Sequence, residues 1–93
     1  MVLINVSTMA PEVYFMLKKL VYKSHYRGTK EGDFLLSSFA KLALSECSDT
    51  EHEIYANLLE HNDTQIHEWV LNPQIAPKQF QEIILKIADF HGL

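Results

Sequence analysis

The chain has 93 residues, 47% hydrophobic and 22% charged, with a formal net charge of −4. That suits one small globular domain and excludes both a disordered tail and a dinucleotide fold joined to a substrate domain. Eight basic residues against twelve acidic ones, with Arg27 the single arginine, argue against nucleic-acid binding, which needs several Lys or Arg set on phosphates.

Residues 1–10 show no clear period and are expected to be irregular; residues 11–93 are expected to form a single helical domain. Pro11 suits a helix first turn, where its missing N–H does no harm. Val13, Met16, Leu17, Leu20, Val21 and Ser24 then follow the i, i+3, i+4 rhythm of one helical face, with Lys18, Lys19 and Lys23 opposite. This helix is expected to end near His25 or Tyr26. After a corner at Arg27 and Gly28, Thr29 is a candidate N-cap. A second helix is expected from about Lys30 to Leu44. Its apolar residues, Phe34, Leu35, Leu36, Phe39, Ala40, Leu42 and Ala43, surround much of the circumference, which marks a central helix.

Ser48 and Glu51 have capping-box spacing and open a third helix to about Leu59, burying Ile54, Tyr55, Leu58 and Leu59. Asp63 is expected to cap a fourth, Thr64 to Leu71, burying Ile66, Trp69 and Val70. Asn72 and Pro73 end it, because the residue before proline avoids helical angles. Pro77 is expected in the first turn of a fifth helix with the stripe Phe80, Ile83, Ile84, Ile87 and Phe90, and Gly92 is its stop. No segment reads as a strand. The fold class is all-α, a compact bundle of about five short helices.

Chemistry-bearing motifs are sparse. The five histidines are scattered, without the close Cys/His spacing that zinc prefers, so no metal site is expected and surface or helix-end positions account for them. Cys47 is alone, which excludes an internal disulfide, and reads as a small buried apolar residue. No nucleophile elbow, phosphate-binding loop or dinucleotide fingerprint occurs, so no enzyme is expected. No apolar run approaches the ~20 residues of a membrane span, so no membrane insertion is expected.

Charge is unevenly spread. Lys18, Lys19, Lys23, Arg27 and Lys30 cluster early, whereas Glu46 to Glu68 contains seven carboxylates and no Lys or Arg. Two ordinary solvated helix faces explain this. So does a steering asymmetry used by a generic helical adaptor, with its site on the acidic 46–68 face.

The stretch from Tyr26 to Asp33 gathers the arginine, two glycines and two carboxylates at one exposed corner. Read plainly, Gly28 ends a helix in a left-handed conformation and Arg27 pairs with Glu31, contributing only ~0.2–0.5 kcal/mol. Glu31 and Asp33 are two apart, so on a helix they point to different sides. Tyr26 either stacks on the guanidinium, offers a partner an amphipathic contact, or closes the end of the core.

Arg27, Gly28, Thr29, Lys30 and Glu31 resemble the R-G-x-x-E signature of the succinate dehydrogenase flavinylation factors, also called assembly factor 2, in their bacterial form. Leu20 to Ser24 resembles the segment leading into that motif, and Glu31, Asp33, Leu35 and Leu36 its E-x-D-x-L-L continuation, followed by Phe39 and Ala40. Tyr55, Leu58, Leu59, Asp63, Ile66 and Trp69 fall on a Y…LL…D…I…W pattern, and Pro77 fits the start of the family's last helix. The likeness covers roughly Leu17 to Phe90. The chain departs from the pattern at His25 and Tyr26, where the family has a basic run, and at Thr29, where it often has methionine.

The resemblance implies an assembly factor, not an enzyme. Its partner would be the flavoprotein subunit of succinate dehydrogenase, and also of fumarate reductase, and it would promote covalent attachment of FAD to that subunit. FAD would be attached to the partner, with no cofactor stably held by this chain. Arg27, Gly28 and Glu31 would make the main partner contacts, with Tyr26, Thr29 and Asp33 beside them. The free protein is expected to be a monomer. Without a basic or arginine-rich leader in residues 1–10, the expected compartment is a bacterial cytoplasm, or a mitochondrial matrix if a presequence has been removed.

Overall fold

The computed structural model of the chain describes residues 11–25 and 30–93, at residues 31 and 32 the backbone alone. The described residues form α1 (Pro11–His25), α2 (Lys30–Leu42), α3 (Asp49–Leu58), α4 (Asp63–Leu71) and α5 (Gln81–Phe90). Short 3₁₀ turns occupy Leu44–Glu46, Pro73–Ile75 and Lys78–Phe80, and no strand occurs among the described residues. Residues 1–10, expected to be irregular, lie outside the described residues.

The core follows the apolar periods. Helix α1 buries Leu17, Leu20 and Ser24, and α5 buries Ile83, Ile84, Ile87 and Ala88. Each fully buried Leu, Ile or Phe contributes about 1.5–3 kcal/mol relative to an exposed one. Helix α2 sits centrally, packing against α1, α4, α5 and the 3₁₀ turn that follows it. Its apolar residues are nevertheless not all interior. Leu36, Phe39 and Ala40 are buried, but Phe34 is 67% exposed.

Helix α2 also ends two residues earlier than its apolar pattern suggests. Ala43 still donates to Phe39 O at 2.8 Å, and the chain then tightens so that Cys47 donates to Leu44 O at 3.0 Å. The tighter turn places Leu44 wholly in the core. Cys47 is only half-buried, and its Sγ lies 3.7 Å from Ala43 O.

The capping box forms as its spacing predicts: Glu51 N donates to Ser48 Oγ at 3.2 Å, and Ser48 N donates to Glu51 Oε1 at 2.9 Å. At α4 the cap is Asn62 rather than Asp63. Asn62 keeps an extended backbone, and its Oδ1 accepts from Gln65 N at 2.8 Å. Asp63 becomes the first helical residue, where its carboxylate favours the positive end of the helix dipole. Pro77 opens the 3₁₀ turn rather than α5 itself.

Gly92 stops α5. With φ at +73° it lets Leu93 N reach Ala88 O at 2.9 Å and Gly92 N reach Asp89 O at 3.0 Å. These two bonds make the glycine-dependent helix terminus called a Schellman motif.

One histidine leaves the surface or helix-end position assigned to it, and a second, just after the end of α3, packs inward. His52 is 2% exposed; its Nε2 donates to Leu44 O at 2.7 Å, while its buried Nδ1 has no hydrogen-bond partner among the described residues. His61 is half-buried, with its ring centroid 5.2 Å from both Trp69 and Phe80.

Candidate functional site

The corner lies between the last residue of α1, His25, and the first of α2, Lys30. Tyr26, Arg27, Gly28 and Thr29 fall outside the described residues, as do the proposed Arg27–Glu31 pair and the side chain of Glu31. Of the sequence-derived site residues, Asp33 is described, and it is half-buried in the first turn of α2. What surrounds the corner can be built residue by residue.

Ser24, in the last turn of α1, is fully buried among apolar side chains. Such a hydroxyl must be paired or it costs about 1–3 kcal/mol. Its Oγ lies 2.7 Å from Leu20 O and 2.6 Å from the Tyr55 hydroxyl of α3. Tyr55, also fully buried, is 3.2 Å from Leu36 O of α2. Among these contacts of the described residues, two hydroxyl protons face three. They satisfy the two shortest when Tyr55 donates to Ser24 and Ser24 donates to Leu20 O. The Tyr55 proton is shared with Leu36 O, the longer of its two acceptors.

One residue further on each helix, His25 Nδ1 and Ser37 Oγ lie 3.0 Å apart. One residue back, His91 after α5 donates from Nε2 to Leu35 O at 2.7 Å. Its ring also lies 5.6 Å from that of Phe34 and 5.0 Å from that of Phe90.

Leu35, Leu36 and Ser37 are thus tied in succession to the end of α5, to α3 and to the end of α1. A helix carbonyl has two lone pairs, so Leu35 O and Leu36 O accept these bonds without giving up the helix. The stretch just after the corner is held from three sides.

Sequence reasoning identified Ser24 as part of the buried stripe but not as a polar link. It placed His91 at a helix end, as found, but not its bond to Leu35 O, because a histidine beyond a helix end carries no signal of its distant acceptor. The exposed Phe34 was masked by the apolar residues around it.

Elsewhere, an open pocket of about 270 Å³ is lined by Phe39, Ala43, Glu46, Cys47, Lys86, Asp89 and Phe90. Burial pushes the Cys47 thiol up, with Glu51 adding to the effect, so the thiol stays protonated near neutral pH and is a poor nucleophile. Lys86 Nζ pairs with Glu51 Oε2 at 2.6 Å. Its ammonium, with the Ser48 backbone N–H, holds the Glu51 carboxyl below the usual range. Part of the acidic 46–68 stretch is thereby engaged internally. Among the described residues no group of three His, Cys, Asp or Glu side chains is arranged to hold a metal ion, and no helix is long and apolar enough to cross a membrane.

Comparison with known proteins places this geometry. Residues 18–91 match the family described as "Flavinator of succinate dehydrogenase". Over 95% of its length the chain is 33% identical to the "Succinate dehydrogenase assembly factor 2, mitochondrial" of Dictyostelium discoideum, covering 62% of that protein. It is 32% identical over 80% of its length to assembly factor 2-B of Drosophila mojavensis, covering 48% of it. A shorter match, 45% identical over 55% of the chain, is to the assembly factor 2 of Meyerozyma guilliermondii, covering 38% of that protein. The chain thus spans between about two fifths and three fifths of these relatives. No solved structure matches it.

Proposed function

The chain belongs to the succinate dehydrogenase flavinator family, and from that premise we propose that it binds the flavoprotein subunit of succinate dehydrogenase and promotes covalent attachment of FAD to it. The relatives are named for assembly, not for catalysis. The bond-forming chemistry would then belong to the partner and its flavin, and this chain would shift the partner towards the conformation that reacts. Fumarate reductase, whose flavoprotein subunit would present similar chemistry, is a second client of the same surface.

The observation that carries this reading is the threefold tethering of Leu35, Leu36 and Ser37 immediately behind the corner. A contact surface gains affinity when it is ordered before binding, because less conformational freedom is lost on association. In this reading Arg27 makes a charge-assisted hydrogen bond to the flavoprotein. Gly28 allows the two backbones to approach closely. Glu31 orients Arg27 or bonds the partner, and Tyr26, Thr29 and Asp33 flank them.

FAD itself would be held by the partner. The open pocket of this chain sets two carboxylates, Glu46 and Asp89, beside one lysine, an unfavourable setting for a dinucleotide diphosphate. The relatives' mitochondrial names favour the matrix of the two compartments considered above.

The direct test is flavin fluorescence on a denaturing gel. The cognate flavoprotein subunit is expressed with and without this chain. A protein-bound flavin band that brightens only when the chain is present supports the reading. Equal bands in both lanes overturn it. Loss of binding through charge reversal at the exposed Glu46, Asp49, Glu53, Glu60 and Glu68 would instead favour the acidic-face adaptor.

A further inference from the structure

Helix α1, which precedes the corner in the chain, has an outward face of its own. On a helix that turns about 100° per residue, Phe15 and Tyr22 are two turns apart and separated by only about 20° around the axis. Both are 66% exposed. Lys18 and Lys19 lie within about 60° of Phe15 and Lys23 within about 80°, all exposed. The buried Leu17, Leu20 and Ser24 occupy the opposite side. Helix α1 therefore has a second, outward stripe in which two aromatic rings stand among three ammonium groups.

That stripe has a definite electrostatic sign. Glu12 is the only acidic residue of α1. The Lys18 ammonium sits 5.3 Å from the Tyr14 ring centroid, which holds it near the helix by a cation–π contact. Tyr14 in turn packs against Phe15 at 5.6 Å. Large exposed aromatics are the residues that anchor interfaces, and surrounding charges select the partner's sign and speed its approach.

We infer that the outward stripe of α1, carrying Phe15, Tyr22, Lys18, Lys19 and Lys23, docks on an apolar recess rimmed by carboxylates on the flavoprotein subunit. This inference rests on the function proposed above and adds a second contact to the corner. The two rings fill the recess, and the three lysines pair with its acidic rim. The stripe runs along α1 towards His25, the last described residue before the corner. An anionic lipid surface would recognise the same charges, but two rings in two turns give little apolar area for insertion, whereas they suffice as anchors in a protein recess.

The test uses the full chain and the purified cognate flavoprotein subunit in biolayer interferometry at several salt concentrations. One variant combines Phe15→Ser with Tyr22→Ser; a second combines Lys18→Glu, Lys19→Glu and Lys23→Glu. Both leave the buried Leu17, Leu20 and Ser24 in place, and circular dichroism checks the helix. The aromatic variant is expected to bind at least about tenfold more weakly, mainly through faster dissociation. The charge variant is expected to associate more slowly and to lose much of its salt dependence. Arg27→Ala serves as the separate probe of the corner. If Arg27→Ala weakens binding while both α1 variants bind like the unaltered chain, the stripe is not an interface and the corner acts alone. If the unaltered chain does not bind the subunit, the proposed function fails and this inference with it. In a parallel arm, phosphatidylcholine vesicles containing phosphatidylserine replace the subunit. Variants that lose vesicle binding but keep subunit binding overturn the inference in favour of a membrane contact.

Discussion

Helices α5 and α1 divide the work of the fold differently. Helix α5 commits four of its ten residues wholly to the core, three of them isoleucines with at most 1% exposure. Helix α1 is half again as long yet buries three residues, one of which is the hydroxyl-bearing Ser24. The two helices meet α2 differently too. Between Ile83 and Ile87, α5 packs by shape, whereas α1 adds polar links, from His25 to Ser37 of α2 and from Ser24 to Tyr55 of α3. Apolar packing is non-directional and tolerates small displacements, while a hydrogen bond fixes distance and angle. The isoleucines of α5 thus supply stability, and the end of α1 adds directional bonds to Tyr55 and Ser37.

The contrast is broken most severely from the α5 side. Ile87→Ala is expected to lower stability by about 2–5 kcal/mol, because it removes buried atoms and leaves a cavity. Chemical denaturation measures this. At a temperature where the variant is still folded, its support of flavinylation should be close to normal.

Tyr55→Phe sharpens the contrast at lower cost. It removes the donor to Ser24, whose hydroxyl keeps its bond to Leu20 O, for an expected loss of about 0.5–1.5 kcal/mol. Because the Tyr55 hydroxyl also holds α2 at Leu36 O, partner affinity should fall by more than the melting shift accounts for. A Tyr55→Phe chain that melts earlier but binds normally would show the link to be purely structural.

Removing a cap far from the corner is the matching control. Ser48→Ala is expected to cost about 1 kcal/mol and to leave partner binding unchanged.

The smallest effect is electrostatic. Lys86→Met removes the partner of Glu51. The native carboxyl is held below its ordinary value, so the unfolded chain takes up the proton first as pH falls. The pair's contribution is therefore present at neutral pH and lost as pH falls through the lowered native value. Lys86 is shifted upward by the same contact, so the contribution is also lost at high pH, as its raised value is passed. Denaturation midpoints of the two proteins should differ at pH 7 and converge at both extremes.

The elements were largely legible because they rest on local rules. Ser48 and Glu51 announce a helix start by spacing alone, and the isoleucines of α5 reveal their face by period. Ser24 appeared in the buried stripe because burial follows period, not polarity. What failed was non-local. Asn62 and Asp63 are both good caps, and only the backbone path decides between them. The burial of His52 depends on Leu44 O, eight residues away, which no helical period encodes. Phe34 and Leu36 look alike in sequence and differ only in which neighbours α2 meets. At the site, the corner was legible as a helix break from its glycines, and its meaning came from a family resemblance. The ties from Tyr55 and His91, 19 and 56 residues from their acceptors, were invisible until the chain was folded.

The central claim is that Arg27 at the corner acts on the partner and not on the fold. Its most direct test is Arg27→Ala in the gel-fluorescence assay, with the melting temperature of the variant measured alongside. The account predicts a strong loss of covalent flavin on the flavoprotein subunit at an essentially unchanged melting temperature. Undiminished covalent flavin from a folded Arg27→Ala chain would contradict it.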